Sequence, residues 1–155
     1  LHPRVRRQRQ MCIRDRISTV YTCCSEAFPN TFTFSEPAEA PWTILHAVAG
    51  GYDGYLRWAV NSWTKDPLRD SRFRTWAAGD TYSIYPGPRS SIRFERLVEG
   101  LQDAEKIRIL REELKGGKLE KLNKTVAMFT PEGLAKTQKS ATEMVNELNK
   151  VLNSY

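Results

Sequence analysis

The residues of this chain best placed to do chemistry sit in two short stretches. The first, "GYDGYLRWAVNSW" (51–63), sets Arg57, Asn61 and Trp63 in an otherwise apolar run. An arginine in such a run must be paired if it is buried, so a structural ion pair is its first expectation and a ligand contact its second. Asn61 presents a donor and an acceptor together, and Trp63 offers a flat apolar wall. The second stretch, "DTYSIYPGP" (80–88), adds an acceptor in Asp80 and two phenols in Tyr82 and Tyr85. Each has an ordinary alternative: core packing for Trp63, a satisfied loop amide for Asn61. Trp58 and Trp76 are expected in the core, and Glu36 and Glu39 as favourable charges near a helix N-terminus.

The first sixteen residues, "LHPRVRRQRQMCIRDR", carry six arginines and one aspartate. Such a block ordinarily reads as an electrostatic arm for phosphates. Its codons read otherwise: "RRQRQMCIRDR" translates a transposase-type sequencing-library adapter, and residues 1–16 are expected to be non-native, adapter-derived sequence that is set aside before fold reasoning. Without them the chain's 24 Lys+Arg and 18 Asp+Glu fall to 18 and 17, so the net charge drops from +6 to about +1. A nucleic-acid partner is therefore not expected.

The remainder holds Cys23, Cys24 and His46. One histidine and two adjacent cysteines supply neither a tetrahedral zinc site nor a well-provided Cys/His or Ser/His/Asp nucleophile. No metal and no cofactor is expected, and buried free thiols are the ordinary reading of the cysteines. There is no run of about 18 apolar residues, so no membrane partner is expected.

The elements that must position these side chains follow from pattern. "ISTVYTCC" (17–24) is β-branched and aromatic and reads as a buried strand. "AEAPWTILHAVAGG" (38–51) reads as a short helix stopped by glycine. Residues 53–63 read as a strand covered on both faces, with Leu56, Trp58 and Val60 packing under helices and Tyr55, Arg57, Ala59, Asn61 and Trp63 opposite. Residues 80–88 read as a third strand. Residues 90–117 are a long amphipathic helix with Phe94, Leu97, Leu101, Ala104, Ile107 and Leu110 on its stripe, capped by Ser90 or Ser91 and closed by Gly116-Gly117. Thr130-Pro131 opens one last helix, with Leu134, Ala141, Val145, Leu148 and Leu152 inward. Strand, helix, strand, irregular connection, strand and helix in this order predict parallel strands with crossovers, hence α/β architecture, a barrel or an open sheet.

At Asp53-Gly54, Leu56-Arg57-Trp58-Ala59, Asn61-Ser62-Trp63, Gly79-Asp80-Thr81-Tyr82, Tyr85-Pro86-Gly87-Pro88, Ile92-Arg93-Phe94-Glu95, Glu99-Gly100 and Asp103-Ala104-Glu105 the chain resembles glycoside hydrolase family 123, over about residues 17–115. The resemblance implies the C-terminal part of a (β/α)8 TIM-type barrel, followed by C-terminal helices. It divides the chain into adapter (1–16), the C-terminal part of the barrel (17–117) and a helical extension (118–155). The parent it implies is a secreted or periplasmic bacterial glycosidase acting on N-acetylhexosamine glycosides, β-N-acetylgalactosaminides above all. It retains configuration with help from the substrate's own 2-acetamido group, outside the two-carboxylate scheme.

That chemistry uses an adjacent Asp-Glu pair, and no Asp-Glu dipeptide occurs in this chain; Glu112-Glu113 is the nearest imitation. The pair is expected upstream, on strands that this chain lacks, and the chain alone is expected to be inactive. Its partners would be a carbohydrate substrate and the missing N-terminal part of the same polypeptide. The three strands should leave an edge unpaired and the long helix an apolar face uncovered. Because barrel sites form at the C-terminal ends of strands, Arg57, Asn61, Trp63, Tyr82 and Tyr85 are the expected substrate-binding residues; Asp80 begins its strand, the wrong end in a barrel, and joins them as an acceptor for sugar hydroxyls only if that strand runs the other way. The readings in competition are a non-catalytic carbohydrate-binding or structural α/β module and an unrelated barrel hydrolase.

Overall fold

A parallel strand pair needs a crossover long enough to return the chain to the same edge, and residues 23–53 provide it. The computed structural model describes residues 17–72, 76–87 and 89–155; residues 1–16, expected to be adapter-derived, lie outside them, as does Pro88 of the expected strand stop. Strand β1 (Thr19–Thr22) runs parallel to β2 (Gly54–Arg57), with Thr19 opposite Gly54 and Thr22 opposite Arg57. Asp53 sets this register. Its backbone N–H donates to the Ser18 carbonyl at 2.7 Å, and its Oδ2 accepts the Ser18 N–H at 2.6 Å.

Between the strands lies helix α1 (Glu39–Ala49). Eight of its first nine residues are buried, all but His46, since the sequence is apolar nearly all round. Its start has no side-chain cap at Ala38. The carboxylate of Glu39 reaches back instead, accepting the N–H groups of Glu36 and Asn30, both at 2.9 Å. Helix α2 (Ile92–Glu113) lies against α1. The two backbones approach closely at Gly100, where a Cβ would stand 2.7 Å from Pro41 Cα. The Ser91 hydroxyl caps α2, accepting the Phe94 N–H while donating to the Ser83 carbonyl.

Three shorter helices complete the described chain: α3 (Gly117–Val126), α4 (Pro131–Thr137) and α5 (Ala141–Leu152). The core is helical and gathers Trp42 and Leu45 from α1, Ile107 and Leu110 from α2, Leu122 and Val126 from α3, Phe129, and Met144, Val145, Leu148 and Leu152 from α5.

Residues 80–88 do not form a third strand: the described residues make turns joined by two isolated antiparallel bridges, Asn61 to Tyr82 and Tyr85 to Arg89. Three glycines and prolines in nine positions leave too few consecutive ladder donors for a strand. The strand expected over 53–63 stops at Arg57, because the next residues turn their hydrogen bonds toward 81–84: Ser62 N–H to Thr81 O, and Ser83 N–H to Val60 O. The face assigned to helix packing is open, with Leu56 54% exposed and Trp58 40% exposed.

Gly116-Gly117 does not simply close the long helix. Gly116, at φ 58°, turns the chain, and Gly117 begins α3. The single last helix is two, broken at Gln138, whose φ is 53°, and restarted by a capping box at Ser140 and Glu143. The outer side of α2 leaves Ile92, Leu101 and Ile109 exposed. Leu101, assigned to its buried stripe, is therefore on the surface.

Candidate functional site

The site is built around Arg57, the last residue of β2. Its side chain is 6% exposed and that of Asp80 0%. Nη2 of Arg57 donates to Asp80 Oδ1 at 2.7 Å and to the Asp80 carbonyl at 3.0 Å. Nη1 donates to Asn30 Oδ1 at 2.7 Å and to Thr22 Oγ1 at 3.1 Å. One guanidinium thus ties together the C-terminal ends of both strands, the loop after β1 and the turn at 80. The planar fork of arginine, with its fixed donors, suits this where lysine would not.

Asn30 extends the network. Its Nδ2 donates to the carbonyls of Cys23 and Glu26, at 2.7 and 2.6 Å, which holds the loop leaving β1 against the cluster. Asp80 extends it the other way. Its Oδ2 accepts the indole N–H of Trp58 at 3.1 Å. Trp58 meets Trp76 edge to face, with centroids 5.2 Å apart, and Trp76 is 36% exposed. Both tryptophans, expected in the core, are on the surface. Tyr21 and Leu56, cross-strand partners at the sheet's centre, are exposed with them.

Beneath the turn at 79–82 lies Arg93, from the first turn of α2. Its Nη1 donates to the carbonyls of Thr31, Gly79 and Tyr82 at 2.9, 2.8 and 2.7 Å. The guanidinium also lies 5.3 Å from the centroid of the Tyr82 ring. Among the described residues it has no carboxylate partner, and burial pushes its pKa below the usual arginine range. Gly79 has φ 87°, and a Cβ there would collide with Arg93 Nη1, so this turn requires glycine twice over.

The remaining expected residues fall around the same turn. Asn61 is exposed and bridges to the fully buried Tyr82. Trp63 is partly exposed, with its indole N–H donated to the Ile84 carbonyl at 2.7 Å. Tyr85 meets Tyr82 edge to face at 5.4 Å. The Tyr82 hydroxyl has no partner among the described residues, and burial raises its pKa. Arg57, Asp80, Tyr82, Tyr85, Asn61 and Trp63 therefore belong to one neighbourhood, the first three enclosed and Asn61 and Trp63 reaching solvent.

Sequence reasoning missed Asn30, Thr22 and Arg93, and it set Trp58 aside. Arg93 carried a signal, because a cation in the first turn of a helix opposes the helix dipole and needs another reason to be there. Asn30 carried little, since Pro29-Asn30 reads as an ordinary turn.

The cluster offers hydrogen bonds and aromatic faces. Its one carboxylate in contact with Arg57, Asp80, is committed to Arg57 and Trp58. No group of three or more His, Cys, Asp or Glu residues among the described residues could hold a metal ion. Cys23 and Cys24 are free thiols, with Cys24 exposed rather than buried as expected. No helix among the described residues is long and apolar enough to cross a membrane.

This strand-end cluster sits inside a stretch with known relatives. Residues 4–110 match the model of the family described as glycoside hydrolase 123, catalytic domain, starting within the 1–16 segment. The chain belongs to glycoside hydrolase family 123. Among solved structures it is similar to a family 123 glycoside hydrolase from Clostridium perfringens, whose structural analysis addressed glycolipid glycan hydrolysis. The TM-score is 0.72 at 24% identity, a likeness of fold. The alignment covers 97% of this chain and 29% of that one, so the chain spans under a third of that protein's length. No curated protein matches.

Proposed function

We propose that residues 17–117 are the C-terminal part of a family 123 (β/α)8 barrel, with 118–155 a helical extension and 1–16 adapter sequence. The parent hydrolyses N-acetylhexosamine glycosides, β-N-acetylgalactosaminides foremost, with the substrate's acetamido group as the internal nucleophile. In this reading the chain lines part of a sugar subsite and the catalytic Asp-Glu pair belongs to the missing N-terminal part of the polypeptide. Asn61, Trp63 and Tyr85 contact the sugar through amide, ring face and phenol. Arg57, Asp80 and Tyr82 hold the strand-end loops in place beneath them.

The observation that carries the reading is the state of Asp80. The carboxylate at the heart of the cluster has 0% exposure and both oxygens engaged by Arg57 and Trp58, so it orients its neighbours and does not face a ligand. The test is an assay of the 155-residue chain on an aryl N-acetyl-β-D-galactosaminide. No release of the aryl group is expected; turnover abolished by a substitution within this chain would overturn the assignment of the acid/base pair to an upstream segment. Upstream coding sequence checks the rest. An Asp-Glu dipeptide at a strand end favours the enzyme, and its absence the non-catalytic carbohydrate-binding module.

A further inference from the structure

Helices α3, α4 and α5 enclose a cleft of about 320 Å³. Its residues run from 121 to 151, beyond the 4–110 span of the family match, so it is separate from the strand-end cluster. Two features define its chemistry. The floor is apolar and deformable: Met128, Phe129, Met144 and Val151, two of them unbranched thioethers that adapt to irregular ligands. The rim is cationic. Lys121 and Lys124, three apart and therefore on one side of α3, line it together with Lys139, against one carboxylate, Glu147. Lys139 is matched by Glu147 at 2.7 Å, but among the described residues neither Lys121 nor Lys124 has a carboxylate within ion-pair distance.

These features select a ligand class. A purely polar anion would leave the floor unused, and a neutral apolar molecule would leave the two unmatched ammonium groups unused. The volume lies at the small end of the roughly 300–1,000 Å³ of ligand clefts, room for one alkyl tail. We propose that this cleft binds a single-chain anionic amphiphile, its tail over Met128, Phe129, Met144 and Val151 and its head between Lys121 and Lys124. Tail burial supplies affinity and the lysine pair supplies the sign of charge accepted.

The test is methyl NMR on the 155-residue chain with 13C-labelled methionine, using decanoate, decyltrimethylammonium and acetate, each below its micellar range. Decanoate should shift the Met128 and Met144 methyls saturably. Decyltrimethylammonium should bind at least tenfold more weakly, and acetate should leave the methyls unmoved. Lys121→Glu with Lys124→Glu, both exposed positions, should weaken decanoate at least tenfold while the far-UV spectrum is kept. Equal binding of the cationic amphiphile, shifts with acetate, methyls unmoved by decanoate, or unchanged affinity in a folded double variant would each overturn the proposal. So would shifts produced by an acidic peptide and not by decanoate, which would make the cleft a protein-docking surface. If the double variant does not fold, the comparison of the three probes on the unsubstituted chain decides alone.

Discussion

Arg57 and Asp80, 23 residues apart in the chain, meet at 2.7 Å with almost no exposure, and the same carboxylate orients the indole of Trp58. A buried pair like this contributes little net stability relative to apolar residues of the same size, but breaking it leaves a charge without a partner. Asp80→Leu should therefore destabilise the chain by about 3–5 kcal/mol, while Arg57→Met combined with Asp80→Leu should cost less than the two single changes summed. Urea denaturation of the three variants measures this coupling. Additive losses would mean that the ion pair is energetically idle.

Ser140 and Glu143 start α5 by reciprocal bonds: Glu143 N–H to Ser140 Oγ at 3.2 Å, and Ser140 N–H to Glu143 Oε2 at 2.8 Å. Ser140→Ala should cost about 1 kcal/mol. The loss should appear as faster amide exchange confined to the first turn of α5, and uniform acceleration across the chain would contradict a local capping role.

Gly100 lets α1 and α2 touch. A methyl group there would stand 2.7 Å from Pro41 Cα and 3.2 Å from Ile44 Cβ, backbone and β-branched atoms with little room to give. Alanine normally stabilises an exposed helix relative to glycine, but here Gly100→Ala should destabilise by about 1–3 kcal/mol through overpacking. A raised melting temperature would show that the helices separate more freely than this contact suggests.

Asp103 titrates in reach of ordinary buffers. Burial, reinforced by the nearby Glu99, raises its carboxyl from 3.8 to about 6, and its Oδ2 has no partner among the described residues. The folded state then holds a proton that the unfolded state has released between pH 3.8 and about 6, so stability from this group is present at low pH and declines as pH rises through that window. After allowance for the solvent that still reaches the group, the loss is about 1 kcal/mol. Asp103→Asn should flatten the pH dependence of the melting temperature between pH 4 and 7 and raise it at pH 7. An unchanged profile would assign the slope elsewhere.

Much of this protein is legible in residue order. The first strand, the crossover helix, the second strand and the long helix follow from β-branched runs, glycine stops and a 3.6-residue stripe, which are local properties that neighbouring residues determine. The Ser140-Ala-Thr-Glu143 signature was there to be read as well, and it breaks what periodicity alone makes one helix. The motif series around Arg57 and Asp80 marked the neighbourhood and the family.

Sequence by itself determined the family, the order of the main elements and the likeness of residues 1–16 to adapter. Tertiary structure alone decided which face of β2 is covered, that 80–87 makes turns with isolated bridges in place of a strand, and that Arg57, Asn30, Asp80 and Trp58 form one network with Arg93 beneath it. The reason is physical. Helix and strand tendencies are set within a few residues, but a guanidinium chooses its partners among groups that only the fold brings within 3 Å. Alternation along a strand likewise names two faces without saying which one the rest of the chain will cover.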